Sequence, residues 1–78
     1  MGVHKVTELT HIQSRALNAI DRYIKARGYA PAAADVGEVL GVSKQRGHAL
    51  LGVLEDKGYI KRTAGVARSV RVIRKEGE

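Results

Sequence analysis

The stretch "LGVSKQRGHALLGVLEDKGYIKR", residues 40–62, decides how the rest of the chain is read. Ser43 follows a Gly41–Val42 turn and is a good helix N-cap, because its hydroxyl can accept one of the free N–H groups of a first helical turn. Gly47, Leu50, Leu51 and Leu54 then recur at helical spacing until Gly58, which predicts a helix with its leucines turned to a core. Each glycine inside that helix costs about 1 kcal/mol relative to alanine, so a reason for its presence is required. The reason lies upstream, where Ala33 to Leu40 reads as a second short helix with Val36, Val39 and Leu40 inward, ended by Gly41. Two short helices joined by so tight a turn cross at a steep angle with their backbones close together. Gly37 and Gly47 fall where that crossing is expected, and small residues are needed there. Gly52 has no equally firm reason: it either faces a ligand or weakens the helix.

Further upstream, Thr10 and Gln13 fit a capping box, and Ile12, Ala16, Leu17, Ile20 and Ile24 form one apolar stripe. Gly28 is a natural left-handed stop after basic Lys25 and Arg27. "GYAPAAAD" is an extended link, because Pro31 biases Ala30 away from helix. Downstream of Gly58 the period changes to alternation. Tyr59 to Arg62 reads as a strand with Ile60 inward. Arg68 to Ile73 reads as a second, with Val70 and Val72 on one side and Ser69, Arg71 and Ile73 on the other. "TAGVA" is the hairpin loop, with Gly65 available for a positive φ. The tail "RKEGE" reads as polar and frayed. The predicted fold is α+β, mainly α: a three-helix winged helix-turn-helix with a C-terminal two-stranded β-hairpin wing.

The 78 residues allow one domain, 1–78, with an ordered core at about 9–74, since two cores could not each bury enough apolar surface. The absence of cysteine excludes disulfides and thiolate chemistry and favours an intracellular, cytoplasmic setting. No run approaches the roughly 18 apolar residues of a membrane span, and "MGVHKVTEL" lacks the apolar centre of a signal peptide; no membrane partner is expected. His4, His11 and His48 share no metal-ligand spacing. Ser43 has no sequence signature of a general-base partner. No enzyme, metal or cofactor is therefore expected.

Charge supplies the positive signal. Of 14 basic and 8 acidic residues, giving a net charge of +6, residues 1–42 hold five basic and four acidic and residues 43–78 hold nine and four. The excess lies on the third helix and the hairpin, which points to a polyanion, double-stranded DNA before membrane. With Leu51 and Leu54 turned inward, the third helix shows Lys44, Gln45, Arg46, His48, Ala49 and, at its edge, Gly52 outward. Gln45 suits adenine, and Arg46 or Lys44 suits guanine O6 and N7. Ser43 and the first amides of the helix suit a phosphate. The wing adds Arg68 near its tip and Arg71, with Lys61 and Arg62 on the paired strand. Tyr29 and Tyr59 read as half-buried packing residues. Leu50 and Val53 widen the apolar stripe, and with Val66 they are the surface a protein-interaction module would use. That module and a non-specific nucleic-acid binder are the two alternative functions.

From about Leu9 to Ile73 the chain resembles the N-terminal DNA-binding domain of the LexA repressor family. The marks are "LTHIQ" opening the first helix, "GYAP" before the second, "LGV" at the turn, "KGYI" entering the hairpin and "GVARSVRV" in the wing. The resemblance implies a transcriptional repressor in which Gln45, Arg46, His48 and Ala49 stand at base-reading positions and Arg68 matches the wing arginine. Because the side chains differ, a different operator is expected. Ala32 and Ala34 stand where the family has a capping threonine and a basic residue. The self-cleaving Ser/Lys peptidase domain that follows the wing in the family, and dimerises it, is not carried over to these residues. One such module reads only a few base pairs, so a homodimer on DNA or a partner protein is expected.

Overall fold

The computed structural model describes residues 8–76 of the chain; the expectation for His4 lies outside them. Helix α1 spans His11–Arg27, α2 Ala33–Leu40 and α3 Lys44–Asp56, followed by strands β1 Ile60–Lys61 and β2 Arg71–Val72. The capping box at α1 is complete: the Thr10 side chain accepts the Gln13 N–H and the Gln13 side chain accepts the Thr10 N–H. Gly28 and Gly41 end α1 and α2 in the left-handed region, at φ 79° and 75°. At α3, the Ser43 hydroxyl accepts the Arg46 N–H at 3.0 Å.

Ala16, Leu17 and Ile20 of α1, Val36 and Leu40 of α2, and Leu50, Leu51 and Leu54 of α3 make the core, closed by Ala30, Tyr59, Ile60 and Val70. Leu50 is buried, so it belongs to this core and cannot form the outward surface offered with Val53 and Val66. Val39, expected inward, is 57% exposed. The inner stripe of α2 is Val36, Gly37 and Leu40, and Val39 stands about 100° round the helix from Leu40.

The glycine reading is answered at the crossing. A Cβ on Gly47 would sit 2.4 Å from the Ala33 carbonyl oxygen, and one on Gly37 would sit 2.7 Å from that of Ser43. Backbone meets backbone there, so no side chain can yield. At Gly52 the nearest atom is Arg62 Nη2 at 3.9 Å, an ordinary contact. Packing therefore does not require a glycine at position 52.

The wing departs from expectation in length. The antiparallel ladder holds two pairs, Ile60 with Val72 and Lys61 with Arg71, where strands of four and six residues were predicted. Between the strands, side-chain bonds displace ladder bonds: the Ser69 hydroxyl accepts the Thr63 N–H at 2.8 Å and lies within hydrogen-bond distance of the Thr63 and Val66 carbonyls. Gly65 has a positive φ, as does Arg68, alone among the described non-glycine residues, at 57°. Tyr59 is fully buried beneath the Arg74 guanidinium, 4.5 Å from its ring centroid, whereas Tyr29 is half-exposed. The expected fraying of the tail is not seen at its start. Glu76 accepts the Ser14 hydroxyl at 2.8 Å and Lys75 pairs with Asp21 at 3.7 Å, which ties residues 75 and 76 to α1.

Candidate nucleic-acid interface

The buried face of α3 is Gly47, Leu50, Leu51 and Leu54. Helical geometry therefore turns Lys44, Gln45, Arg46, His48 and Ala49 to solvent, and all five are exposed. The first turn of α3 holds no acidic residue. Its free N–H groups and the positive end of its dipole accordingly stand beside Lys44 and Arg46, which make no ion pair among the described residues. This is a surface that attracts anions at the helix start and offers hydrogen-bonding side chains along its first two turns.

The hairpin supplies the second part. Lys61 and Arg71 are register partners, and both point outward. Opposed like charges disfavour a strand pair, and no ion pair to a carboxylate offsets that here among the described residues. The other two wing cations are engaged within the protein. Arg62 pairs with Glu55 of α3, Nη2 at 2.9 Å and Nε at 3.0 Å from Oε1, and its backbone N–H reaches Oε2 at 3.3 Å. Arg68 Nη1 lies 3.0 Å from Asp35 Oδ2 of α2 and donates to the Ala30 carbonyl at 3.2 Å and the Tyr23 hydroxyl at 3.4 Å. Both arginines, expected as DNA contacts of the wing, are thus also paired with carboxylates of the helices. With these ion pairs the loop lies back against the helices, forming a groove lined by Ala33 of α2, His48 and Leu51 of α3, and Val66 and Val70 of the wing.

Two residues that the sequence reading missed are the acidic partners. Asp35 is the third residue of α2 and accepts the Ala32 N–H at 2.9 Å. That is half of a capping box, and it caps this helix from within its first turn, since Ala32 has no side-chain acceptor. The Ala32 N–H first, and then, against partial burial, the Arg68 guanidinium hold the Asp35 carboxyl below its ordinary 3.8. Its place three residues after the cap was a readable signal. Glu55 had none, because it stands seven residues from Arg62 on a different element.

Three helices, a tight turn between the second and third, and a hairpin packed at the end of the third define a winged helix-turn-helix protein. The chain belongs to the LexA DNA binding domain family, whose model matches residues 6–69. It is similar to the LexA repressor of Oleidesulfovibrio alaskensis, 36% identical over 72 residues that make up 92% of this chain and 35% of the relative. It is 36% identical to the LexA repressor of Staphylococcus aureus USA300 over 85% of this chain and 32% of that protein. With the LexA repressor of Thermobifida fusca the identity is 40% over 82% of this chain and 26% of the relative. The chain thus spans about a quarter to a third of the length of these curated relatives. No helix among the described residues is long and apolar enough to cross a membrane.

Proposed function

We propose that this chain is a sequence-specific double-stranded DNA binder that works as a transcriptional repressor, with α3 in the major groove and the wing on the backbone or minor groove. The observation that carries the reading is the coincidence, on a chain of this family, of a Ser43-capped helix start free of acidic residues with five exposed side chains on one face of its first two turns. In this reading Lys44, Gln45, Arg46, His48 and Ala49 face base edges, and Ser43 with the first amides of α3 holds a phosphate. Lys61 and Arg71 add backbone contacts. Two copies, or one copy and a partner, are needed to read enough sequence, with half-sites about 10 base pairs apart or a multiple of that. Such a repressor works beside the DNA it reads, in the cytoplasm. It needs no cofactor and performs no catalysis.

Selection of bound duplexes from a random pool tests the proposal, with an inverted repeat as the expected product. Four to six neutralised phosphates per copy give an expected slope of log K against log salt of about −4 to −5. Arg46→Ala should relax base preference at one position by about 1–3 kcal/mol. A pool that yields no preferred sequence, together with an Arg46→Ala variant that binds every duplex as the parent does, would falsify it.

A further inference from the structure

We propose that Arg68 is a positioning residue for DNA binding rather than a DNA contact: its clasp on Asp35 sets where the wing stands relative to the α2–α3 unit. The inference rests on the DNA-binding reading above and assigns a role to Asp35 within it.

The wing needs such a fastening. A two-stranded ladder is marginal without packing partners, and here it is two residue pairs long. Val70 anchors one side of the hairpin in the core, while Thr63 to Arg68 are exposed. What returns this loop to the helices is Arg68. Its φ of 57° is uncommon for a residue with a Cβ, and such a conformation persists where the surroundings over-determine it. The surroundings do so. One guanidinium nitrogen meets Asp35 Oδ2, the Ala30 carbonyl and the Tyr23 hydroxyl, and the guanidinium carbon lies 5.5 Å from the Tyr29 ring centroid. Tyr29 is in turn braced edge-on against Tyr23, with centroids 5.9 Å apart. Four contacts from α1, the α1–α2 link and α2 therefore converge on one side chain of the wing.

Asp35 makes the clasp directional. The same Oδ2 that pairs with Arg68 accepts the Ala32 N–H at the start of α2. One oxygen thus ties the wing to the first turn of the helix that crosses α3. The Arg68 charge is matched by Asp35 at the protein surface, and outward contact from the hairpin passes to Lys61 and Arg71.

The rival role for Arg68, a phosphate ligand that Asp35 merely parks, makes the opposite prediction for Asp35→Asn. Removing a negative charge beside a polyanion and releasing a parked arginine should then strengthen binding. The clasp predicts weakening by about two- to fivefold, despite the more favourable net charge. Arg68→Ala should weaken binding similarly and leave the salt slope unchanged, whereas losing a phosphate ligand would make it shallower by about 0.9. Hydroxyl-radical footprints should lose protection under the wing and keep it under α3, a pattern that general unfolding would not produce. Arg68→Lys, which keeps the charge pair, should recover part of the affinity. The double variant should bind no worse than either single one, and thermal melting of every variant shows whether it is folded. If the parent chain shows no salt-dependent duplex binding, the DNA-binding reading fails, and the role of Arg68 with it. If the parent binds but Asp35→Asn binds more tightly, or Arg68→Ala flattens the salt slope, only the clasp is overturned.

Discussion

At the α2–α3 crossing, main chain lies against main chain; at the wing, a loop is held to the helices by side chains. Gly37 and Gly47 leave room for nothing between the two helices, so their relative placement is fixed by hard contact, which rises steeply when either moves. The wing hangs on two ladder pairs, Val70 in the core, the Ser69 hydroxyl, and the ion pairs of Arg62 and Arg68. Such exposed pairs are individually weak and screened by salt. The difference teaches that one part of the molecule presents a helix by hard backbone contact, while the other takes its place from several side-chain contacts acting together.

The comparison breaks most readily at the crossing. Gly47→Ala would place a methyl group against the Ala33 carbonyl, and the expected loss is about 3 kcal/mol or more despite the gain in helix propensity. Urea unfolding checks this; a variant within about 0.5 kcal/mol of the parent would show that the helices part easily and that the contrast is false. Gly37→Ala, facing the Ser43 carbonyl, should behave alike.

A smaller effect is expected from acid at the wing. Because the folded-state pKa of Asp35 lies below its ordinary 3.8, its contribution to stability is complete above that ordinary value and is lost as pH falls through the depressed one. The stability difference between the parent and Asp35→Asn should therefore shrink toward zero on acidification below 3.8. A difference that stayed constant down the same titration would mean that the carboxylate charge contributes nothing.

The smallest effect has the opposite sign. At Gly52→Ala a Cβ meets only Arg62 Nη2 at ordinary contact distance, so the variant should gain about 0.5–1 kcal/mol from helix propensity. Calorimetry would show a rise in Tm of a few degrees. A fall would place Gly52 with Gly37 and Gly47 as a glycine that packing requires.

Much of this was legible in residue order. The capping box at Thr10 and Gln13, the Ser43 cap, and the glycine stops at residues 28 and 41 are local devices, and local devices can be read from a few neighbours. The exposed face of α3 follows from the leucines opposite it, so its five candidate contacts were readable too. The strands were overestimated because alternation at residues 68–73 persists where pairing does not, once Ser69 bonds the loop to itself. Val39 was misplaced because an eight-residue helix has too few turns to define its inner stripe. The engagement of Arg62 and Arg68 was not legible, since a wing arginine and its carboxylate lie on different elements.

The sequence by itself determined three helices, their caps, the close crossing and the side of α3 that faces outward, because periodicity and glycine placement act over a few residues at a time. Only the tertiary structure decided which wing cations are free. A charge becomes a ligand or a fastening according to what folds up against it, and Asp35 and Glu55 reach their arginines only when the loop closes on the helices.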